Sequence, residues 1–194
     1  KLESKAKALL YQYGDYLDKE TVFEECNVLK TPTYVCVKGK AVLMLAGQTV
    51  DLSKLMGDIA LSTESLKELE SVKVIGKRVV TVENLTSFHN YGVAKQESED
   101  FVIYLGGFHN RAKREFLIKL YEQNKDKEYR HFGDIDAGGF YILEHLKRKT
   151  GIPFVSLNMD RDILEKYMEY TKKLTVNDRK RLEMLLGNLE KDKE

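Results

Sequence analysis

Three short runs rich in β-branched and aromatic residues, Arg78 to Val82, Phe101 to Leu105 and Glu128 to Phe132, are separated by stretches too long for hairpin turns. The second gap carries a helical pattern from about Asn110 to Asn124, with Ala112, Phe116, Leu117, Leu120 and Tyr121 on one side. Strands that alternate with helices in this way fold into a parallel sheet with helices on its faces. After the third run, Gly138 and Gly139 open a helix carrying Phe140, Ile142, Leu143 and Leu146. A short strand, Pro153 to Leu157, then precedes two charged helices that begin at Asp160 and Val176. The expected fold is α/β, and in such sheets functional residues collect outside the carboxyl ends of the strands.

The beginning of the chain reads differently. Ala6, Leu9, Leu10, Tyr13 and Leu17 follow helical spacing from Ser4. Thr33 to Val37 and Ala41 to Leu45 flank Lys38-Gly39-Lys40 and predict a hairpin. Ser62 is placed to cap a helix with Leu66, Leu69 and Val72 on one face. The composition shift near Ser62 to Ser71 divides the chain into a helix and hairpin extension, 1–70, and an alternating core, 71–194. With 194 residues there is material for one sizeable core. The chain starts on Lys1 rather than Met, which suggests a piece of a longer protein.

Composition excludes little. Lys and Arg number 32 against 31 Asp and Glu, so net charge gives no sign of a polyanionic partner, although local clusters can still line a groove. Cys26 and Cys36 lack metal-ligand spacing and read as buried, reduced thiols of a cytoplasmic protein. No signal peptide and no long apolar run is evident, so no membrane partner is expected.

Two acidic patterns fall at expected strand ends. Glu83 follows Val79-Val80-Thr81-Val82, and Asp134 and Asp136 follow Phe132-Gly133 in a D-x-D-x-x-G. Carboxylates gathered at one sheet edge form a hard, oxygen-lined site suited to Mg²⁺, which keeps water and phosphate oxygens in its remaining positions. Glu83 can complete that site as a second-metal ligand or act as general acid or base. The glycine after the second aspartate, Gly138, leaves a helix N-terminus open to a phosphate, whose charge the exposed amides favour. Each feature also has a plain structural reading. A D-x-D in a turn is common, Glu83 can cap a helix starting at Asn84, and Gly106-Gly107 can be an ordinary turn. His89, His109, His131 and His145 are scattered and read mostly as surface or interface residues, and Arg111, Lys113, Arg114 and Arg179-Lys180-Arg181 as solvated helix faces.

A glutamate after an apolar strand, followed by a strand ending in D-x-D-x-x-G, resembles the Toprim domain of topoisomerases, bacterial primases and several nucleases. Val82 to Phe88, Tyr104 to Phe108 and Phe132 to Phe140 are more narrowly similar to the C-terminal domain of the JetD family, nuclease subunits of the Wadjet plasmid-defence system. The JetD Toprim domain is in turn similar to that of the topoisomerase VI A subunit. The likeness runs from about Thr31 onwards. It implies a Rossmann-like parallel sheet and an endonuclease acting on double-stranded DNA with Mg²⁺, for which Mn²⁺ can substitute.

On that resemblance, Glu83, Asp134 and Asp136 are catalytic and metal-ligating. Asn84, Gly106, Gly107 and Gly139 form the supporting rim, and Arg111, Lys113 and Arg114 are candidates for DNA-backbone contacts. It also implies a homodimer, SMC-like defence-complex subunits as partners and a prokaryotic cytoplasmic setting, with DNA-cradling domains upstream of Lys1. The topoisomerase nucleophile is a tyrosine on a separate winged-helix domain, which the sequence does not display, so cleavage by activated water is expected rather than religation. Rival readings are a haloacid-dehalogenase-like phosphatase, disfavoured because Ala137-Gly138 follow the D-x-D, a receiver-like ligand-binding domain, a non-catalytic DNA-clamping module and a topoisomerase VI A-like cleavage subunit.

Overall fold

The computed structural model describes residues 34–92, 99–106 and 111–191, the last four of these as backbone, together with Ser4, Lys7, Ala8 and Tyr11. The chain divides into two compact units, Lys1–Thr33 and Tyr34–Glu194. In the first unit the four described residues are helical, and the rest of the expected Ser4 to Leu17 helix lies outside the described residues, as does Cys26.

The second unit begins with β1 (Tyr34–Lys38), β2 (Ala41–Leu45), β3 (Gln48–Asp51), β4 (Ile59–Ser62), α1 (Thr63–Lys67) and β5 (Leu69–Val74). Strict alternation follows: β6 (Arg78–Val82), α2 (Leu85–Asn90), β7 (Asp100–Tyr104), α3 (Arg111–Gln123), β8 (Glu128–Phe132), α4 (Ala137–Thr150) and β9 (Val155–Ser156). Two helices end the chain, α5 (Arg161–Lys166) and α6 (Val176–Lys191). The main sheet has six strands in the order β4-β1-β7-β6-β8-β9. Its β7, β6, β8 and β9 run parallel, while β1 is antiparallel to both β7 and β4. This is the α/β architecture the alternation predicts, a mostly parallel sheet flanked by helices.

The expected hairpin between the first two strands does not form. β1 joins the main sheet, whereas β2 belongs to a separate antiparallel sheet in the order β3-β2-β5. The tight turn lies one strand later: Ala46 and Gly47 have φ of 48° and 72°, a type I′ geometry that pairs Leu45 with Gln48. The helix expected from Ser62 is also shorter than predicted. Ser62 Oγ does accept from the Ser65 amide at 3.1 Å, but the helix stops at Lys67, and Leu69 and Val72 belong to β5. The pairing of β5 with β2 shifts register between Met44 and Leu45, so Leu69 and Val72, three apart as in a helix, are both buried in a strand. The 1–70 and 71–194 division falls inside β5, and β1 and β4 reach the parallel strands through β7.

β6 is buried on both faces, as a central parallel strand should be. One face, with Val79, Phe101, Ile103 and Tyr129, packs in the main core with Phe116, Leu117 and Leu120 of α3 and Leu143 and Leu146 of α4. The other, with Val80, Val82 and Val102, packs on Phe88 of α2. At the amino edge, Arg78 donates to both carboxylate oxygens of the buried Asp100, at 2.6 and 3.1 Å, and the Tyr91 hydroxyl donates to the same group at 2.9 Å.

The free edge of β5 is closed by side-chain amides at the end of α3. Gln123 Oε1 accepts from the Val72 amide at 2.7 Å, and Asn124 Oδ1 accepts from the Val74 amide at 2.9 Å. Asn124 Nδ2 donates to the carbonyls of Val72 and Leu120, both at 2.7 Å. Removing these bonds strands buried backbone groups, so Asn124→Ala should lower stability by about 2–4 kcal/mol, read as a denaturant midpoint shift. A change under about 0.5 kcal/mol would show that this amide does not tie the small sheet to α3.

Candidate functional site

Parallel pairing places Glu83. Val82 sits opposite Tyr104 on one side and Phe132 on the other. The ladder continues past the strand, with the Leu105 amide donating to Val82 at 2.7 Å and the Glu83 amide donating to Phe132 at 3.0 Å. From β6 the chain crosses to β7 on one side, then from β7 to β8 on the other. The carboxyl ends of β6 and β8 therefore flank the point where the connections diverge, the usual place for a ligand in an open α/β sheet. Asn84 turns the chain away by capping α2, its Oδ1 accepting from the amides of Thr86 (2.9 Å) and Ser87 (3.3 Å).

Asp134 and Asp136 follow β8 and are exposed, while Glu83 is half-buried between the two strand ends. The Asp134 amide donates to the Glu83 carboxylate, but Glu83 Oε2 is buried with no hydrogen-bond partner among the described residues. Burial pushes the Glu83 carboxyl above its ordinary range, the negative charge of Asp134 adds to that, the Asp134 amide opposes it, and Asp136 raises it further. Gly133 makes the arrangement possible. A Cβ there would stand 2.7 Å from Glu83 Oε2 and 2.9 Å from His131 Nε2. Its amide donates to the Met159 sulfur at 3.3 Å.

Asp136 has a structural role of its own. Its Oδ1 accepts from the Gly139 amide at 2.8 Å and caps α4, which engages one of the amides at that helix N-terminus. A Cβ at Gly139 would collide with the Asp134 carbonyl. The donors are of the oxygen type that Mg²⁺ and Mn²⁺ prefer, and the buried Glu83 oxygen beside two further carboxylates fits a cation in chemistry. Their positions are looser than a ligand set: among the described residues no three His, Cys, Asp or Glu side chains converge on one point.

The remaining expected residues scatter more widely. Gly106 is exposed at the end of β7 with φ of 69°, and Gly107 and His109 lie outside the described residues. Arg111 pairs with Glu115 at 2.7 Å on the surface. Lys113 turns inward, its ammonium donating to the Leu105 carbonyl at 2.7 Å and lying 5.1 Å from the centre of the Tyr104 ring. Arg114 is half-buried on the same helix. Cys36 is a free, half-buried thiol whose pKa is raised by burial and then by Asp58.

His131 is a correction, because it is fully buried on β8 rather than at a surface or interface. Its Nδ1 lies 2.9 Å from Thr81 Oγ1 on β6, a side-chain bridge between the two strands that carry the carboxylates. A two-residue alternation with the buried Tyr129 was the available sequence signal. Arg181 of α6 is exposed, as a solvated face requires, and its guanidinium lies 3.9 Å from the place of a Gly138 Cβ, which is itself 3.1 Å from Asp136 Oδ1. Nothing local in the sequence foretells that approach across the fold. Next to Asp134 a cleft of about 390 Å³ opens, lined also by Asn84, Ser87, Phe132, Asn158, Ile163 and Tyr167.

Residues 36–193 match the family described as Wadjet protein JetD, C-terminal. Over 173 residues the chain is 27% identical to the Wadjet protein JetD of Bacillus cereus (strain Q1), covering 87% of this chain. The chain spans 42% of the length of that curated relative.

The raised Glu83 pKa has a signed consequence for stability. The folded carboxyl keeps its proton to higher pH than an unfolded glutamate, so ionisation costs stability above that range and costs nothing below the unfolded pKa. In EDTA, Glu83→Gln should therefore melt higher than the parent chain near neutral pH, and the advantage should vanish as pH falls through the ordinary glutamate range. Equal melting at neutral pH would overturn this account of the Glu83 environment.

Proposed function

The chain belongs to the JetD C-terminal family, and from that premise we propose that it is the Toprim nuclease domain of a prokaryotic anti-plasmid defence subunit. Its reaction is hydrolysis of a phosphodiester bond in double-stranded DNA, dependent on Mg²⁺ with Mn²⁺ as substitute. The observation that carries this reading is the buried Glu83 oxygen, without a partner among the described residues, beside Asp134 and Asp136 at the divergence point of the parallel strands. A divalent cation bound by these carboxylates would neutralise charge on the attacked phosphate and its leaving oxygen.

In this reaction a water oxygen bonds to phosphorus, the phosphorus–oxygen bond to one strand breaks, and the water proton goes to a base. Glu83 suits that last role, because burial and its acidic neighbours raise its affinity for a proton while leaving it at the strand end. Asp134 lines the adjoining cleft, and the exposed Arg181 near Asp136 supplies positive charge for the DNA backbone. Arg111 lies on the surface at the start of α3 and adds a peripheral backbone contact. Upstream DNA-cradling domains and SMC-like subunits complete the complex. Exposed Leu174, Val176, Met184 and Leu186 support self-association as a homodimer. Among the described residues no helix is long and apolar enough to cross a membrane. The cytoplasm, where plasmids are met, is the matching compartment.

A non-catalytic DNA- or ligand-binding module is the second reading, favoured by the absence of a converged three-residue ligand set among the described residues. Supercoiled plasmid separates the two. With Mg²⁺ the chain, assembled with its defence-complex partners, should nick or linearise the plasmid, and EDTA should stop it. Glu83→Ala and Asp134→Ala should each lower the rate by at least about a hundred-fold. Asp136→Ala also removes a helix cap worth about 1 kcal/mol, so Asp136→Asn, which keeps a capping oxygen, is the cleaner variant and should be equally inactive. Near-parental cleavage by any of these variants would sink the site assignment, and no cleavage by the parent complex would favour the second reading.

A further inference from the structure

The cleft beside Asp134 is larger than phosphodiester chemistry requires. At about 390 Å³ it falls within the size range of small-molecule sites, roughly 300–1,000 Å³, ample for one nucleotide and far too small for a duplex. Its lining combines three kinds of group. Phe132, Ile163 and Tyr167 are apolar or aromatic, Asn84 and Asn158 carry side-chain amides, and Asp134 joins it to the carboxylate site.

Tyr167 is the informative member. It is 49% exposed although it stands at a cleft in the fold, and the Lys166 ammonium lies 5.3 Å from its ring centre. With the ammonium over one side of the ring and the Tyr170 ring 6.5 Å away, the exposed remainder of Tyr167 can stack a base while the ammonium meets the neighbouring phosphate. Amides at the same cleft can bond the edge of that base. A base inside a duplex has both faces covered by its neighbours and its edge paired. Only a nucleotide already outside the stack can use all three groups, and enzymes of nucleic acids commonly take one base into such a pocket.

We infer that this cleft holds one unpaired nucleotide adjoining the phosphate to be cut, with Tyr167 as its stacking platform. The preferred substrate is then a duplex carrying an unpaired, bulged nucleotide rather than a perfectly paired one. This rests on the DNA-cleavage reading of the adjacent carboxylates.

The test is fluorescence of 2-aminopurine placed as a single bulge in a duplex, titrated in EDTA at low salt with the whole chain. A fully paired duplex carrying the same base is the control. The parent chain and Tyr167→Phe should quench the bulged probe and bind it more tightly than the paired one. Tyr167→Ala should bind the bulged probe about ten-fold more weakly, with its binding of the paired probe unchanged. Because no cation or cleavage is involved, this result stands even where plasmid cleavage fails. Equal binding of both probes, an unchanged affinity in Tyr167→Ala, or no binding of either probe by the parent chain overturns the subsite. Cleavage of plasmid by the parent complex alongside any of those results would leave the nuclease reading in place and remove only the subsite.

Discussion

One strand with parallel neighbours on both sides organises the molecule. Every residue of β6 from Arg78 to Val82 has a partner in β7 and another in β8, so the backbone of this strand cannot move without breaking two ladders. That rigidity extends one residue further, through the Leu105 and Glu83 amides, and it is what delivers Glu83 to the same rim as Asp134. The side chains add to it, since Thr81 and His131 bridge the two strands from within the core. A half-buried carboxylate held among like charges is unfavourable by itself. It persists here because its backbone position is dictated by the sheet rather than by anything the carboxylate gains.

The outer parts of the fold are attached by polar side chains acting in place of backbone. Gln123 and Asn124 complete the open edge of β5 as another strand would, and the buried Asn124 amide joins the small sheet to α3. Asn84, Asp136 and Asp160 cap their helices in the same spirit, turning each chain reversal near the carboxyl edge into a defined corner. The cleft owes its shape to those corners, because its lining comes from the residues that follow β6, β8 and β9.

Much of this was legible in the sequence, and the reasons differ by region. Arg78–Val82 and Glu128–Phe132 coincide with the observed strands because a β-branched or aromatic run bounded by breaks has few alternatives. The strand–helix alternation then implied the rim shared by Glu83, Asp134 and Asp136. The lead-in was harder. Ser62 was rightly read as a cap, yet Leu66, Leu69 and Val72 mimic helical spacing only because a bulge displaces the strand register, which no local pattern displays. The hairpin was misplaced by one strand because Ala46-Gly47 is a weaker turn signal than Lys38-Gly39-Lys40. His131, Arg181 and Tyr167 acquire meaning only from long-range packing, which one sequence does not encode in a readable form.

The Arg78–Asp100–Tyr91 cluster clamps the amino edge of the sheet, at the opposite end of the strands from the carboxylates. Anchorage and the candidate site are thus divided along the length of the same few strands. Loops at the carboxyl end can vary in length and sequence without loosening the clamp, because the strand register is secured at the opposite end. Such a scaffold can acquire a new substrate preference by altering only the corners around the cleft, while the ion pair behind it keeps the rim in place.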